Sequence, residues 1–322
     1  MSPTVLLTND DGPPNVHESP YVLGLYLHLT RVLGWNVHVV LPSTQKSWIG
    51  KAYQIKEITR GNYFYPKEDG KGETSPKSRP LKDGELAEWI LLDGTPATCA
   101  NVALHNIFHE KIDLVISGPN LGRNTSSAFA LSSGTIGAAM SSSLSRIRSI
   151  ALSYGTVVHP TPTTYFEPAH DLACRIIQHL WNNWGEDECG LRTGEVDLYS
   201  INIPLVEGIL GEEGLKICWT RMWRNSYGRL FKNVSNVDLD SITPETTSMP
   251  KNEGGEVGDL LFKWSPEMRG LITPIPSMLP FGSDGWAIHN GWVSVTPLRA
   301  SFGEPHIHDN IDPDSVVWKF KL

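Results

Sequence analysis

Short apolar runs that end in polar or glycine-bearing segments recur through the first two thirds of the chain. Residues 4–8 (TVLLT), 36–41 (NVHVVL, closed by Pro42), 88–92, 113–117 (DLVIS), 149–154 and 198–203 (LYSINI) have the length and near-continuous apolarity of strands buried on both faces. Helical patterns lie between them. The first runs over 18–33 with Leu23, Leu27 and Val32 among its apolar positions and Gly34 as its stop. Others cover 95–105, the small-residue-rich 133–144, and part of 162–184. Repeated strand–helix alternation predicts an α/β fold with a doubly wound, mostly parallel sheet and right-handed crossovers. Beyond Pro204 the pattern changes to short strand-like runs at 215–220, 260–263 and 292–296, separated by Gly, Pro and Asn. This predicts one domain over 1–322: an α/β core at 1–204, an exposed Gly/Pro/Lys-rich insertion at 60–83, and a β-rich C-terminal extension at 205–322 suited to packing against a partner subunit.

Composition narrows the function classes. With 322 residues, 40% hydrophobic and 19% charged, the chain is globular. Its net charge of −8 disfavours a protein that grips a nucleic acid polymer through phosphates, though a local anion pocket is compatible with it. The start, MSPTVLLTNDDG, lacks a basic segment and a long apolar run, and no stretch approaches ~18 uninterrupted apolar residues, so no membrane partner is expected. The 4 cysteines form no CxxC pair, which fits reduced thiols and a cytoplasmic location.

In open α/β sheets ligands bind outside the carboxyl ends of the strands, so the post-strand segments are the place to look for chemistry. They are Asn9-Asp10-Asp11-Gly12, the loop through Ser47, Asp93-Gly94-Thr95-Pro96, the Ser117-Gly118-Pro119-Asn120 turn with Gly122 and Asn124, and Ser133-Gly134-Thr135 opening a helix. Asp10 and Asp11 are the sharpest feature. Adjacent carboxylates at a partly dry sheet edge raise one another's pKa unless a cation sits with them, and hard divalent ions take oxygen ligands. The same residues also fit ordinary turn chemistry. Ser133, Gly134 and Thr135 offer a helix N-terminus suited to phosphate, or equally a plain N-cap. Neither GxGxxG, nor a P-loop, nor a GxSxG elbow is present, so dinucleotide binding and serine hydrolysis lack support. His306, His308 and Asp309 suggest a metal pair but lie far along the chain, and Trp48, Trp219, Trp223 and Trp286 suit core, interface or base stacking alike.

Taken together, VLLTNDDG (5–12), the VxxPxxxxS loop ending in Ser47, DGTPATC (93–99), DLVISGPNLGRN (113–124), SSGTIGAAM (132–140) and WVSVTPL (292–298) resemble the SurE family of metal-dependent survival-protein nucleotidases and phosphatases. The variants QKSWIGKA and SGPNLGRNTS are similar to its fungal branch, which includes acid phosphatases and the SurE-type half of a tubulin–tyrosine-ligase-like yeast protein. The chain's ending soon after WVSVTPL implies that no ligase half follows. The resemblance implies a Rossmann-like core and a homodimer or homotetramer built through the C-terminal arm. It implies one divalent ion per subunit, Mg²⁺ or Mn²⁺, held by Asp10, Asp11, Ser47 and Asn120. It also implies catalytic roles for Asp10, Asp11 and Asn124, and a phosphate pocket lined by Asn9, Asn124, Ser133, Gly134 and Thr135. The expected activity is hydrolysis of small phosphate monoesters, nucleoside 5′- or 3′-monophosphates foremost. Thr98 replaces a bacterial Asp and Ser126 a bacterial Gly, departures that bear on substrate preference more than on metal binding. Two other readings are an aspartyl-phosphate phosphatase with Asp10 as nucleophile, which adjacent aspartates serve poorly, and a non-catalytic nucleotide- or protein-binding module that retains the pocket.

Overall fold

The computed structural model describes residues 2–156, 160–233, 260–272 and 274–303. Six strands form its parallel centre: β1 (Thr4–Thr8), β2 (Asn36–Pro42), β5 (Trp89–Leu92), β6 (Leu114–Leu121), β7 (Arg148–Thr156) and β8 (Leu198–Leu205). They stand in the order β5-β2-β1-β6-β7-β8. Strand order therefore reverses between β1 and β6, the position at which a doubly wound sheet opens a crevice. The two strands run parallel with Thr8 opposite Ser117, so their carboxyl ends finish side by side.

Burial on both faces explains the near-continuous apolar runs. Along β1, Val5 and Leu7 join one core with Tyr21, which precedes α1 (Val22–Leu27), with Leu25 of α1 and Leu29 of its continuation His28–Val32, and with Ile177 and Leu180 from α5 (Phe166–Asn182). Leu6 points the other way, into a smaller core with Cys99 of α2 (Pro96–Val102) and with Ala103. This is the alternation a pleated strand imposes. α2 packs beside α4 (Gly134–Leu144), whose small residues permit close approach. A Cβ on Gly137 would lie 2.4 Å from the Gly50 carbonyl oxygen, so only glycine lets the loop after β2 dock against this helix.

The sequence reading and the structure part at four places. The first helix begins at Val22 rather than near residue 18. Within 60–83, β3 (Gly61–Pro66) and β4 (Gly72–Ser75) extend the sheet beyond β5, and Phe64 and Tyr65 are buried, although most other side chains there are exposed. β6 continues through Gly118-Pro119-Asn120, where its register against β7 shifts by one residue. α3 (Ser126–Ser132) carries no periodic apolar signal. In the C-terminal extension, β12 (Val293–Leu298) joins β8 antiparallel and β9 (Ile217–Trp219) joins β12, while β10 (Phe231–Asn233) and β11 (Phe262–Trp264) make a separate hairpin. Two short helices, α6 (Arg269–Ile272) and α7 (Asp284–His289), complete the extension as described. Among the described residues no helix is long and apolar enough to cross a membrane.

Gly118 sits in the β6 bulge with φ of +129, and a Cβ there would stand 2.1 Å from the Leu152 carbonyl oxygen. Gly118→Ala is expected to lower unfolding stability by about 2–3 kcal/mol in a urea titration, through backbone strain and displacement of β7.

Candidate active site

The chain leaves β1 through three consecutive polar residues, all buried: Asn9, Asp10 and Asp11. Asn9 closes a turn, its amide donating to the Gly12 carbonyl at 2.8 Å while Gly12 N–H donates back to Asn9 Oδ1 at 2.9 Å. This turn sends the next two side chains apart. Asp10 reaches α4, where Thr135 Oγ1 donates to Asp10 Oδ1 at 2.5 Å and the Gly134 and Thr135 amides also point to the carboxylate. Asp11 reaches the end of β6, where Leu121 N–H donates to Asp11 Oδ2 at 2.6 Å. The paired acids thus bridge the β6 end and the α4 start.

A cleft of about 1,560 Å³ opens over this edge, and Asp10, Ser47, Asn120, Asn124 and Ser133 all line it. Ser47 arrives on the loop after β2, held by Lys46 N–H donating to the Asp10 carbonyl at 2.7 Å and by Gly50 N–H donating to the Ser132 carbonyl at 2.9 Å. Asn120 Nδ2 donates to the Gly122 carbonyl at 2.8 Å, which anchors the side chain at the cleft. Asn124 is fixed twice: its backbone N–H donates to Asn202 Oδ1 at 2.7 Å and its Nδ2 to Ser153 Oγ at 2.9 Å. Ser133 Oγ accepts from Ile136 N–H as the N-cap of α4, so the hydroxyl proton stays available.

Three expected phosphate-pocket residues stand behind the cleft wall rather than on it. Asn9 spends its amide on Gly12 and Ser19. Thr135 and Gly134 spend their donors on Asp10, and a Cβ on Gly134 would come within 2.8 Å of Asp10 Cβ. The helix start that reads as a phosphate cradle in sequence instead cradles a carboxylate. Gln45 was not singled out from the sequence, yet its side chain hydrogen-bonds to Asp11. Among the described residues no group of three or more His, Cys, Asp and Glu side chains comes together to hold a metal; His306, His308 and Asp309 lie outside the described residues.

The profile of the family described as "Survival protein SurE" matches residues 5–229. The chain belongs to the SurE family. A Saccharomyces cerevisiae protein named "Probable tubulin--tyrosine ligase PBY1" is 34% identical over 92% of this chain and 41% of its own length. A "5'-nucleotidase SurE" from Synechocystis is 37% identical over 62% of this chain and 61% of that protein, and one from Desulforamulus reducens is 26% identical over 92% of each. The chain therefore spans about two fifths of the yeast relative and less than two thirds of the Synechocystis one. The crystal structure of a SurE protein from Aquifex aeolicus shares the fold, with a TM-score of 0.59 at 24% identity and coverage of 94% and 95% of the two chains.

Thr98 and Ser126, the two expected departures from the bacterial pattern, lie outside the cleft lining. Thr98 is in the first turn of α2, its hydroxyl 3.0 Å from that of Thr95. Ser126 takes φ of +77 at the start of α3, a left-handed backbone that glycine adopts without strain.

Burial is what most perturbs this SurE site. It pushes the Asp10 carboxyl above its ordinary range against the opposing pull of the Thr135 hydrogen bond. It pushes Asp11 well above, and the Asp10 charge adds to the shift. A raised folded-state pKa means that the unfolded chain ionises first. Stability is then lost as pH climbs from the ordinary carboxylate value through the folded one. Metal-free Asp11→Asn is accordingly expected to melt higher than metal-free wild type at neutral pH, with the gap closing toward about pH 4, as read by calorimetry in chelator.

Proposed function

We propose that this SurE-family protein is a divalent-metal-dependent phosphomonoesterase that hydrolyses small phosphate monoesters, nucleoside 5′- or 3′-monophosphates foremost. The observation that carries the reading is the buried Asp10–Asp11 pair, at the strand-order reversal and beside the Ser47, Asn120 and Ser133 segments. Its bacterial relatives' name, 5′-nucleotidase, supports the same class. Two buried like charges with neutral amide and hydroxyl oxygens nearby are a donor set that fits a hard cation. Asp10, Asp11, Ser47 and Asn120 would hold one Mg²⁺ or Mn²⁺ per subunit. When bound, such an ion neutralises phosphoryl charge and lowers the pKa of the attacking water.

The protein's own residues supply the rest. Thr135 and the α4 amides fix the Asp10 carboxylate in one orientation, facing the cleft, where it accepts the proton of the attacking water. Asn124, held rigid by Ser153 and Asn202, and the Ser133 hydroxyl bind the non-bridging phosphoryl oxygens. Uncatalysed monoester hydrolysis is so slow that enzymes accelerate it by up to ~10²¹-fold, and preorganised electrostatics of this kind is the largest contributor. The exposed Trp219, Phe231, Phe262 and Phe281 of the C-terminal extension support its use as an arm between subunits of a homodimer or homotetramer.

Asp10→Asn is expected to lower kcat on p-nitrophenyl phosphate by about 10²–10⁴-fold while leaving the circular dichroism spectrum intact. Chelation abolishes wild-type turnover and Mg²⁺ or Mn²⁺ restores it. Near-wild-type turnover by the variant at saturating Mg²⁺ would overturn the assignment.

A further inference from the structure

Immediately after Ser47 stands Trp48, in a left-handed backbone conformation with φ of 61 that bulky side chains rarely adopt. A glycine would make this turn without strain, so the turn itself gives no reason for an indole here. The ring is half-buried and lines the cleft, as does Phe129 of α3, four residues before Ser133. The two rings meet with centroids 5.9 Å apart at 64°, forming a corner. Tyr227 and Trp264 buttress Trp48 at 6.3 Å and 5.0 Å. Each ring that faces the cleft is thus tied by a few residues of backbone to one end of the phosphoryl pocket, Trp48 to Ser47 and Phe129 to Ser133.

We propose that Trp48 and Phe129 form the leaving-group subsite, stacking the purine or pyrimidine base of a nucleoside monophosphate; this rests on the phosphomonoesterase reading above. A flat heterocycle in the corner lies against one ring and turns an edge to the other, and both arrangements are favourable for aromatic pairs. The reach follows from the tethers: a phosphoryl group beside Ser47, Asn120 and Ser133 projects its ester substituent along a wall built from the neighbours of those residues. Stacking of this kind tolerates any base, so the subsite selects for planarity and not for base identity. An aliphatic leaving group such as glycerol gains nothing from it.

The test compares adenosine monophosphate with glycerol 2-phosphate on the full chain at saturating Mg²⁺. Trp48→Ala is expected to raise KM for the nucleotide about 10- to 100-fold, with kcat and both constants for glycerol 2-phosphate held within about twofold. Trp48→Phe restores most of the loss, and Phe129→Leu gives a smaller effect of the same selectivity. An equal loss on both substrates, or a lower melting temperature with no substrate selectivity, means that Trp48 only props the Ser47 loop and overturns the proposal. So does an unchanged nucleotide KM. If the wild type hydrolyses neither ester, the phosphomonoesterase reading falls, and calorimetric titration with adenosine, which has no phosphate, decides the subsite alone. Binding that Trp48→Ala abolishes sustains it, and no binding by the wild type overturns it.

Discussion

Two adjacent carboxylates, both buried at the end of one strand, are the constraint to which the neighbouring structure responds. Burial of a like-charged pair is unfavourable unless each oxygen finds a donor or one group stays protonated. Here the Asn9 turn separates the two side chains, and separate elements answer them. The α4 start, through Thr135 and two amides, serves Asp10, and the Leu121 amide serves Asp11. The strand-order reversal between β1 and β6 makes this division possible, because it leaves a gap at the sheet edge into which α4 and the β6 end can both reach.

Supporting features follow from the same need. The one-residue register shift between β6 and β7 lengthens β6 past Ser117, so that Asn120 and the Leu121 amide come to the edge beside β1. The small residues of α4 let the loop after β2 settle on it, and that loop is held by the Asp10 carbonyl at Lys46 and by the Ser132 carbonyl at Gly50. Ser47 is therefore placed by backbone hydrogen bonds on both sides of it and by the packing of the neighbouring Trp48 ring on Phe129, Tyr227 and Trp264. That suits a ligand hydroxyl, whose own proton and lone pairs are left uncommitted.

Much of this was legible in the sequence because buried parallel strands are uniform. The runs at 4–8, 113–117 and 198–203 show the doubly wound core, and the polar segments after them contain the cleft-lining Asp10, Ser47, Asn120, Asn124 and Ser133. What periodicity does not show is direction. Ser133-Gly134-Thr135 announces a helix N-terminus, but whether its donors meet a ligand phosphate or a protein carboxylate depends on where β1 ends in space. Likewise α3, with the sequence SSAFALS, shows no apolar stripe, and its first amides are answered from far along the chain, beyond the reach of a local pattern. β3 and β4 were hidden for another reason: between them they bury only a few side chains, Phe64 and Tyr65 among them, and the Gly/Pro/Lys composition around them reads as loop.

The contacts around α3 also change how the C-terminal extension is understood. Ser126 N–H donates to Asp284 Oδ2 at 2.8 Å, Ser127 N–H to the Trp223 carbonyl at 2.8 Å, and Ala128 N–H to Asn225 Oδ1 at 3.0 Å. The unpaired amides that open any helix are here satisfied by residues one hundred or more positions away, or nearly so. The Arg123 guanidinium donates to the carbonyls of Leu271 and Ile272, and Trp264 packs on Trp48. The segment from Arg123 to Phe129 runs along the cleft between Asn124 and Ser133. Its position is set from below by the sheet, through Asn202 and Ser153, and from the side by the extension. A disturbance of the extension thus reaches the cleft through these hydrogen bonds, of which Ser127 N–H to the Trp223 carbonyl joins backbone to backbone. On this geometry the extension is part of the apparatus that holds the cleft in shape, and an arm that joins subunits would at the same time brace the site.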